Sequence, residues 1–155
     1  MNTTQQSSAA IFQNLLDQVE KLFPEFDRDP TDHAICDGNG ASMILDAQGN
    51  WYGRMFGKDH NKQRQTSKVA WQKATQVWMT GVATGDYEEK VYSKQLNWWE
   101  FGIPLPELIG WRGGLPARLV DGSKVALAFS GFRGEMDCEI LRKAVANTAG
   151  IEIVD

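Results

Sequence analysis

The hydrophobic and polar positions along this chain predict three amphipathic helices separated by short extended segments. Apolar residues recur at helical spacing over Ser8–Phe23, so we predict a first helix there that ends at Pro24. The stretch "KDHNKQRQTSKVAWQKATQVWMTG" predicts a second helix with Asp59 or Asn61 as its N-cap. The stretch "FRGEMDCEILRKAVANTAG" predicts a third helix, whose acidic first turn favours the positive end of the helix dipole.

The two faces of the second predicted helix differ in character. We expect one face to pack on the core, because it carries the mostly small or apolar residues Thr66, Ala70, Ala74, Val77, Trp78 and Gly81. The other face carries the basic residues Lys62, Arg64, Lys68 and Lys73. We interpret this basic face as a solvated surface.

Alternating apolar segments predict two pairs of strands. Ser42–Leu45 and Trp51–Met55 form the first pair around a turn at Ala47–Asn50. In "ARLVDGSKVALAFSG", the Asp-Gly dipeptide between two apolar segments predicts the second hairpin. The final "IEIVD" is either a short strand or a frayed end. The order of elements predicts an α/β (α+β) sandwich with a mainly antiparallel sheet.

Length and composition favour a single domain over residues 1–155, with a frayed N-terminus at residues 1–7. The net charge of −4 argues against a nucleic-acid-binding protein, and no apolar run approaches the ~18 residues of a membrane helix. The first residues lack the features of a secretion signal. Cys36 and Cys138 show neither metal-ligand spacing nor a disulfide framework, which indicates a cytoplasmic location. The segment Pro24–Ala41, rich in Asp, Pro and Gly, is interpreted as a loop that either folds over a pocket or extends freely.

The segment "NWWEFGIPLPELIGWRGGLP", residues Asn97–Pro116, is unusually aromatic and irregular. It contains three of the six tryptophans and three of the five prolines of the chain. Its aromatic residues suit the wall of a flat apolar pocket, and they are Trp98, Trp99, Phe101 and Trp111. Arg112 would then face a ligand carboxylate, which a guanidinium binds through two hydrogen bonds. A protein–protein interface or simple core filling are the alternatives.

The C-terminal half resembles a family of small proteins named for GlcG of glycolate-utilisation operons and for the haem-binding protein HbpS. The resemblance rests on "GGLPARLVDGSKVALAFSGFRGEMDCEIL", in which the matching positions are Gly113, Gly114, Leu115, Pro116, Gly122, Ser130, Gly131 and Asp137. A second block, Ala70, Lys73 and Ala74, matches the Ala-x-x-Lys-Ala of the family's long helix. A third block, "ILDAQG", resembles the turn of the family's first hairpin.

The resemblance implies a profilin-like fold with a five-stranded antiparallel sheet, self-association into homo-oligomers, and haem as a possible ligand. A histidine beside a helix start suits an axial haem ligand, so His60 is a candidate; His33 is a weaker one. Arg54 or His60 would supply further polar contacts to the ligand. The leading hypothesis is therefore a small-molecule-binding protein whose aromatic segment walls the pocket.

Two other functions remain open at this stage. An enzyme acting on an apolar substrate would use Arg54, His60 and Glu100 as its acid, base and anchor. A structural subunit would use the aromatic segment only as an interface. An anion site at Ser130, Gly131 and Arg133 is also conceivable, but we interpret these glycines as serving the turn into the third helix.

Overall fold

The predicted α+β sandwich is confirmed by a computed structural model that describes residues 6–97 and 99–155. Its elements are α1 (Ser8–Asp27), α2 (Pro30–Cys36), β1 (Gly40–Leu45), β2 (Trp51–Phe56), α3 (His60–Thr80), α4 (Thr84–Tyr92), a 3₁₀ turn (Leu105–Glu107), β3 (Gly114–Leu119), β4 (Lys124–Ser130), α5 (Gly134–Ala146) and β5 (Ile151–Ile153). The strands form one sheet in the order β2-β1-β4-β3-β5. Every neighbouring pair is antiparallel.

The two faces of the sheet are covered by different helices and different side chains. Successive residues of a strand point to opposite faces. In β4, Val125, Leu127 and Phe129 join the core formed with α1 and α5. Ala126 and Ala128 face the other way and pack with the alanines of α3. The α1/α5 face therefore has a core of large residues, whereas the core on the α3 face consists mainly of alanines, together with Met43, Leu45 and Val77.

Helix α3 begins and ends where its sequence predicts. The Asp59 carboxylate accepts hydrogen bonds from the backbone N–H groups of Asn61 and Lys62, which makes it the N-cap. Gly81 ends the helix in the left-handed conformation, with φ of 70°. The interpretation of Lys73 as solvated is wrong. Its side chain is buried because it lies on the same helix face as Ala70 and packs toward the sheet.

The loop predicted over Pro24–Ala41 is also wrong, as is the end of α1 at Pro24. Helix α1 continues to Asp27 because Phe23 and Phe26 are buried against Phe132, and this packing outweighs the backbone hydrogen bond that proline cannot make. A short helix, α2, follows. Asp29 caps it by accepting hydrogen bonds from Thr31 and Asp32. Strand β1 then begins within the same segment.

Helix α4 has no counterpart in the predicted order of elements. It is held by burial of Tyr87 and by Thr84, whose hydroxyl donates to the Trp111 carbonyl and accepts from the Gly114 N–H. The described residues between α4 and β3 are irregular as predicted, apart from the 3₁₀ turn. The short strand β5 is present, so the C-terminal "IEI" extends the sheet. Across residues 6–97 and 99–155, none of the helices has the length and apolar character needed to cross a membrane.

Candidate functional site

A large cavity lies at the C-terminal end of α3, beside the β3–β4 hairpin. We call it the hairpin cavity; its volume is about 630 Å³, and its lining includes Val77, Trp78, Met79, Phe101, Arg118 and Lys124. This volume lies within the range of about 300–1,000 Å³ that is usual for small-molecule sites. The space exists because β3 and β4 present only Pro116 and Ala126 toward α3 at this point. The Trp78 indole N–H donates to the Asp46 carbonyl at 3.0 Å, which fixes that ring beside the cavity.

The mouth of the hairpin cavity carries two cations side by side. Arg118 and Lys124 are direct partners across the antiparallel β3–β4 pair. Arg118 forms an ion pair with Glu152 of β5. Lys124 forms none within the described part of the chain. Like charges placed directly opposite repel each other, so the pair favours an additional anion at this mouth.

A second cavity, of about 380 Å³, lies at the N-terminal end of α3. We call it the lysine cavity, because Lys73 of α3 and Asp137 of α5 line it together. Its other lining residues are Ile35, Cys36, Lys62, Gln65, Thr66, Trp111, Ser130, Gly131, Phe132 and Gly134. Four elements and the turn before α5 therefore meet around it.

Lys73 and Asp137 form a buried ion pair in the lysine cavity. The Lys73 ammonium donates to Asp137 Oδ2 at 2.9 Å and to the Phe129 carbonyl at 3.0 Å. Asp137 Oδ1 accepts the Phe132 N–H at 2.8 Å. The two residues are only 1% and 2% exposed. Burial raises the pKa of Asp137 to about 7, although Lys73 and the Phe132 N–H act in the opposite direction.

The absence of a side chain at Gly113 leaves the space that the ion pair occupies. Its φ is 120°, and a Cβ at this position would lie 2.7 Å from Lys73 Nζ and 2.7 Å from the Phe129 carbonyl oxygen. Both the backbone conformation and the space thus require glycine.

The residues that carry the family resemblance meet at the lysine cavity. Lys73 comes from one matching block of sequence and Gly113 and Asp137 come from another, while Ser130 and Gly131 lie on the same cavity wall. The sequence pattern predicts Lys73 on the solvated face of its helix and Asp137 in the first turn of the third helix. The available signal was a lysine placed within a stripe of alanines, three positions after Ala70.

The aromatic residues predicted to form one pocket wall do not lie together in the described structure. Phe101 lines the hairpin cavity, and Trp111 lines the lysine cavity, where its side chain is 68% exposed. Trp99 is largely exposed. Trp98 lies outside the described residues. Arg112 pairs with Asp86 at 3.6 Å and lines a third cavity, of about 390 Å³.

The polar residues predicted for the site lie on separate elements. Arg54 of β2 points to α1, where it pairs with Asp17 and Glu20 at 2.8 and 3.1 Å. His60 is the first residue of α3 and lines neither cavity. Glu100 lies near Tyr87, where burial first and this carboxylate second raise the pKa of the phenol.

The turn before α5 is also occupied by protein contacts. The Arg133 guanidinium binds both oxygens of the buried Asp32 carboxylate, at 3.0 and 3.1 Å. Burial opposes ionisation of Asp32, but these hydrogen bonds hold its pKa below the usual range. Arg133 is therefore already engaged with protein carboxylates at the turn.

Similar folds occur among solved structures at low sequence identity. A PduOC:haem complex superposes with a TM-score of 0.63 at 18% identity, over 90% of this chain and 94% of that chain. HbpS gives 0.63 at 14%, over 95% and 92%. ORFY of Klebsiella pneumoniae gives 0.64 at 20%, over 94% of each chain. No protein-family model and no curated protein sequence matches the chain.

These similarities confirm the predicted resemblance at the level of the fold. The chain has a GlcG/HbpS-like fold, a five-stranded antiparallel sheet flanked by helices. Because one fold hosts many chemistries, the function has to be argued from the two cavities.

Proposed function

We propose that this protein binds a flat, apolar small molecule that carries an acidic group, and that the ligand occupies the hairpin cavity. The observation that carries the proposal is the combination of an aromatic lining, from Trp78 and Phe101, with the adjacent cations Arg118 and Lys124 at the mouth. An aromatic wall suits a planar ring system, and paired cations suit carboxylates. Phe101 is the part of the predicted aromatic wall that takes this role.

Haem is the first candidate for this ligand. One of the structures with this fold is a complex of PduOC with haem. The volume of about 630 Å³, the aromatic lining and the cations at the mouth of the hairpin cavity suit a porphyrin with propionates, and Met79, which also lines the cavity, carries a thioether that could bind the iron. Haem would supply redox or ligand-binding chemistry at its iron, while the chain itself would hold the ring and neutralise the propionates. Neither His33 nor His60 lines this cavity, so ring and propionate contacts should dominate binding.

The test compares hemin with iron-free protoporphyrin IX, each titrated into the purified protein and followed by its Soret band. Saturable binding of both at one molecule per chain, with affinities within about tenfold of each other, is expected if ring and propionates dominate. Lys124→Glu should weaken both by about tenfold or more because it reverses a charge at the mouth. Lys68→Glu is the matched control, since Lys68 is an exposed lysine that lines neither cavity.

The variant His60→Ala distinguishes binding in the hairpin cavity from the prediction, made from the sequence, that His60 binds the haem iron. If His60→Ala shifts the hemin Soret band while Lys124→Glu leaves both titrations unchanged, the iron is bound at His60 and the hairpin cavity is not the site. If neither porphyrin binds saturably, the haem proposal fails and other flat acids remain to be tested in the same cavity.

Self-association and location are inferred on separate grounds. The largely exposed indole of Trp99 favours a homo-oligomer that buries it. Light scattering after size exclusion, on wild type and Trp99→Ser, tests this: a smaller particle for the variant supports it, and an unchanged one contradicts it. Both cysteines are free thiols, which supports a cytoplasmic protein. The catalytic trio of Arg54, His60 and Glu100 is not gathered in either cavity, so a binding function is preferred to an enzyme.

A further inference from the structure

We infer that the lysine cavity is a second ligand site, which binds the carboxylate of a small aromatic acid through Lys73 and Ser130. This inference concerns a different end of α3 from the proposed porphyrin site and does not depend on it. The cavity combines an unused hydrogen-bond donor on a buried cation, a hydroxyl without a hydrogen bond among the described residues, and an apolar wall at the mouth.

The first step concerns the Lys73 ammonium group. An ammonium has three N–H donors, and the structure gives two of them acceptors: Asp137 and the Phe129 carbonyl. The third has no protein acceptor among the described residues, although the side chain is only 2% exposed. A buried charged donor without a partner is unfavourable, and a ligand oxygen in the cavity would satisfy it.

The second step concerns the Ser130 hydroxyl. Ser130 follows Ala126 and Ala128 at the two-residue repeat of β4, so its side chain points toward α3. The hydroxyl makes no hydrogen bond within the described part of the chain, unlike Thr66 on the same cavity wall, which donates to the Gln63 carbonyl. Ser130 and Lys73 thus give the cavity one neutral and one cationic donor, which together match the two oxygens of a carboxylate.

The third step concerns the body of the ligand. Trp111 and Ile35 line the cavity and are 68% and 53% exposed. Both side chains would be covered by a flat apolar group attached to the bound carboxylate. A planar ring against the Trp111 indole also gains aromatic stacking. This combination selects an aromatic acid over a small inorganic anion.

Asp137 sets the pH dependence of such a site. The titratable groups around it are Lys73 and Lys62 from α3, Asp32 and Cys36 from α2, Arg133 from the turn, and the thiol of Cys138 next to it on α5. Arg133 keeps Asp32 ionised, and burial raises the pKa of the Cys36 thiol to about 11. Asp137 is then the carboxyl group of this set that changes charge near neutrality. Its protonation leaves the Lys73 charge free for the ligand, so binding should strengthen as the pH falls below about 7.

The experiment titrates ¹⁵N-labelled protein with benzoate and follows the backbone amides of residues 130–134 by NMR. Saturable shifts at these amides are expected, with an affinity about five- to tenfold higher at pH 6 than at pH 8, since one proton is taken up. Benzamide, which has the same ring without the charge, should bind at least about tenfold more weakly than benzoate at pH 6. Lys124→Glu should leave the titration unchanged, which distinguishes this site from the hairpin cavity.

Two variants test the role of the ion pair. Asp137→Asn keeps an acceptor for the Phe132 N–H and should bind benzoate with equal affinity at pH 6 and pH 8. The double variant Lys73→Met, Asp137→Asn removes both charges, leaves no buried unpaired ion, and should abolish binding. The matched control is Lys68→Met. Thermal melts establish that each variant is folded.

The inference is overturned by any of three results. They are an absence of saturable shifts at residues 130–134, equal binding of benzamide and benzoate, or an Asp137→Asn variant that keeps the full pH dependence. In each case the ion pair would serve only to tie α3 to α5.

Discussion

The two cavities along α3 differ in their charged residues, which are exposed at one cavity and buried at the other. At the C-terminal end, Arg118 and Lys124 lie at the mouth of a wide apolar cavity, in contact with water. At the lysine cavity, Lys73, in the second half of α3, is buried with Asp137 as its partner. An exposed charge contributes little to stability and acts mainly on ligands. A buried charge cannot be changed without affecting the fold. We therefore expect substitutions of Arg118 or Lys124 to change ligand binding, and substitutions of Lys73 to change the stability of the fold.

The largest effect should follow Lys73→Met. Removing this ammonium leaves the Asp137 carboxylate buried without its cation, which costs about 3–5 kcal/mol of unfolding free energy in comparable pairs. Urea unfolding at a pH above 7, where Asp137 is ionised, measures the loss. Lys124→Met, at the other end of α3, should change stability by less than about 0.5 kcal/mol. Equal small effects for both lysines would remove the contrast.

The next effect concerns pH. Folding raises the pKa of Asp137 to about 7, whereas an unfolded aspartate titrates near about 3.9. Between these values the folded state binds more protons than the unfolded state, so the contribution of this group to stability falls as pH rises and is fully lost above about 7.

The comparison of wild type with Asp137→Asn isolates this group from the other carboxylates. The stability of the wild type relative to the variant should fall by up to a few kcal/mol between about pH 4 and pH 7. Urea unfolding of both proteins at several pH values in that window provides the measurement. A difference that stays constant would show that Asp137 has an ordinary pKa.

A smaller effect is expected for Gly113→Ala. The added methyl group would meet Lys73 Nζ and the Phe129 carbonyl at a φ of 120°, so we expect a loss of about 2 kcal/mol or more. Gly122→Ala is the matched control in the β3–β4 hairpin. Its φ is also positive, at 86°, but a Cβ there would meet no atom within 4 Å, so the loss should be about 1 kcal/mol. Thermal or urea unfolding of the pair gives the comparison, and equal losses would show that the space around Gly113 is not limiting.

Sequence patterns predicted the elements whose signals are local. The periodicity of α3, its Asp59 cap and the Asp-Gly hairpin all depend on residues close together in the chain, and the structure has all three. The continuation of α1 through Pro24 depends on Phe132, more than a hundred positions away. No local pattern contains that contact.

A related reason explains what was missed at the candidate sites. A lysine within a predicted amphipathic helix is usually solvated, and the partner that makes the burial of Lys73 possible lies on α5, far along the chain. The resemblance did mark Lys73, Gly113 and Asp137 as separate matches, but their convergence became visible only in three dimensions. The aromatic segment, conversely, is conspicuous by composition, but Phe101 and Trp111 line two different cavities.

One contact in that segment sets a limit on how its length can change. The buried Gln76 amide both donates to and accepts from the backbone of Ile109, at 2.9 and 2.8 Å, and Thr84 holds the Trp111 carbonyl and the Gly114 N–H. The chain between these two attachments is only a few residues long, and it must place Gly113 next to the Lys73–Asp137 ion pair. Insertions before Ile109 add loop at the surface, where they are tolerated. A single deletion between Ile109 and Gly114 would shift the register of β3, which follows, against its partner strands.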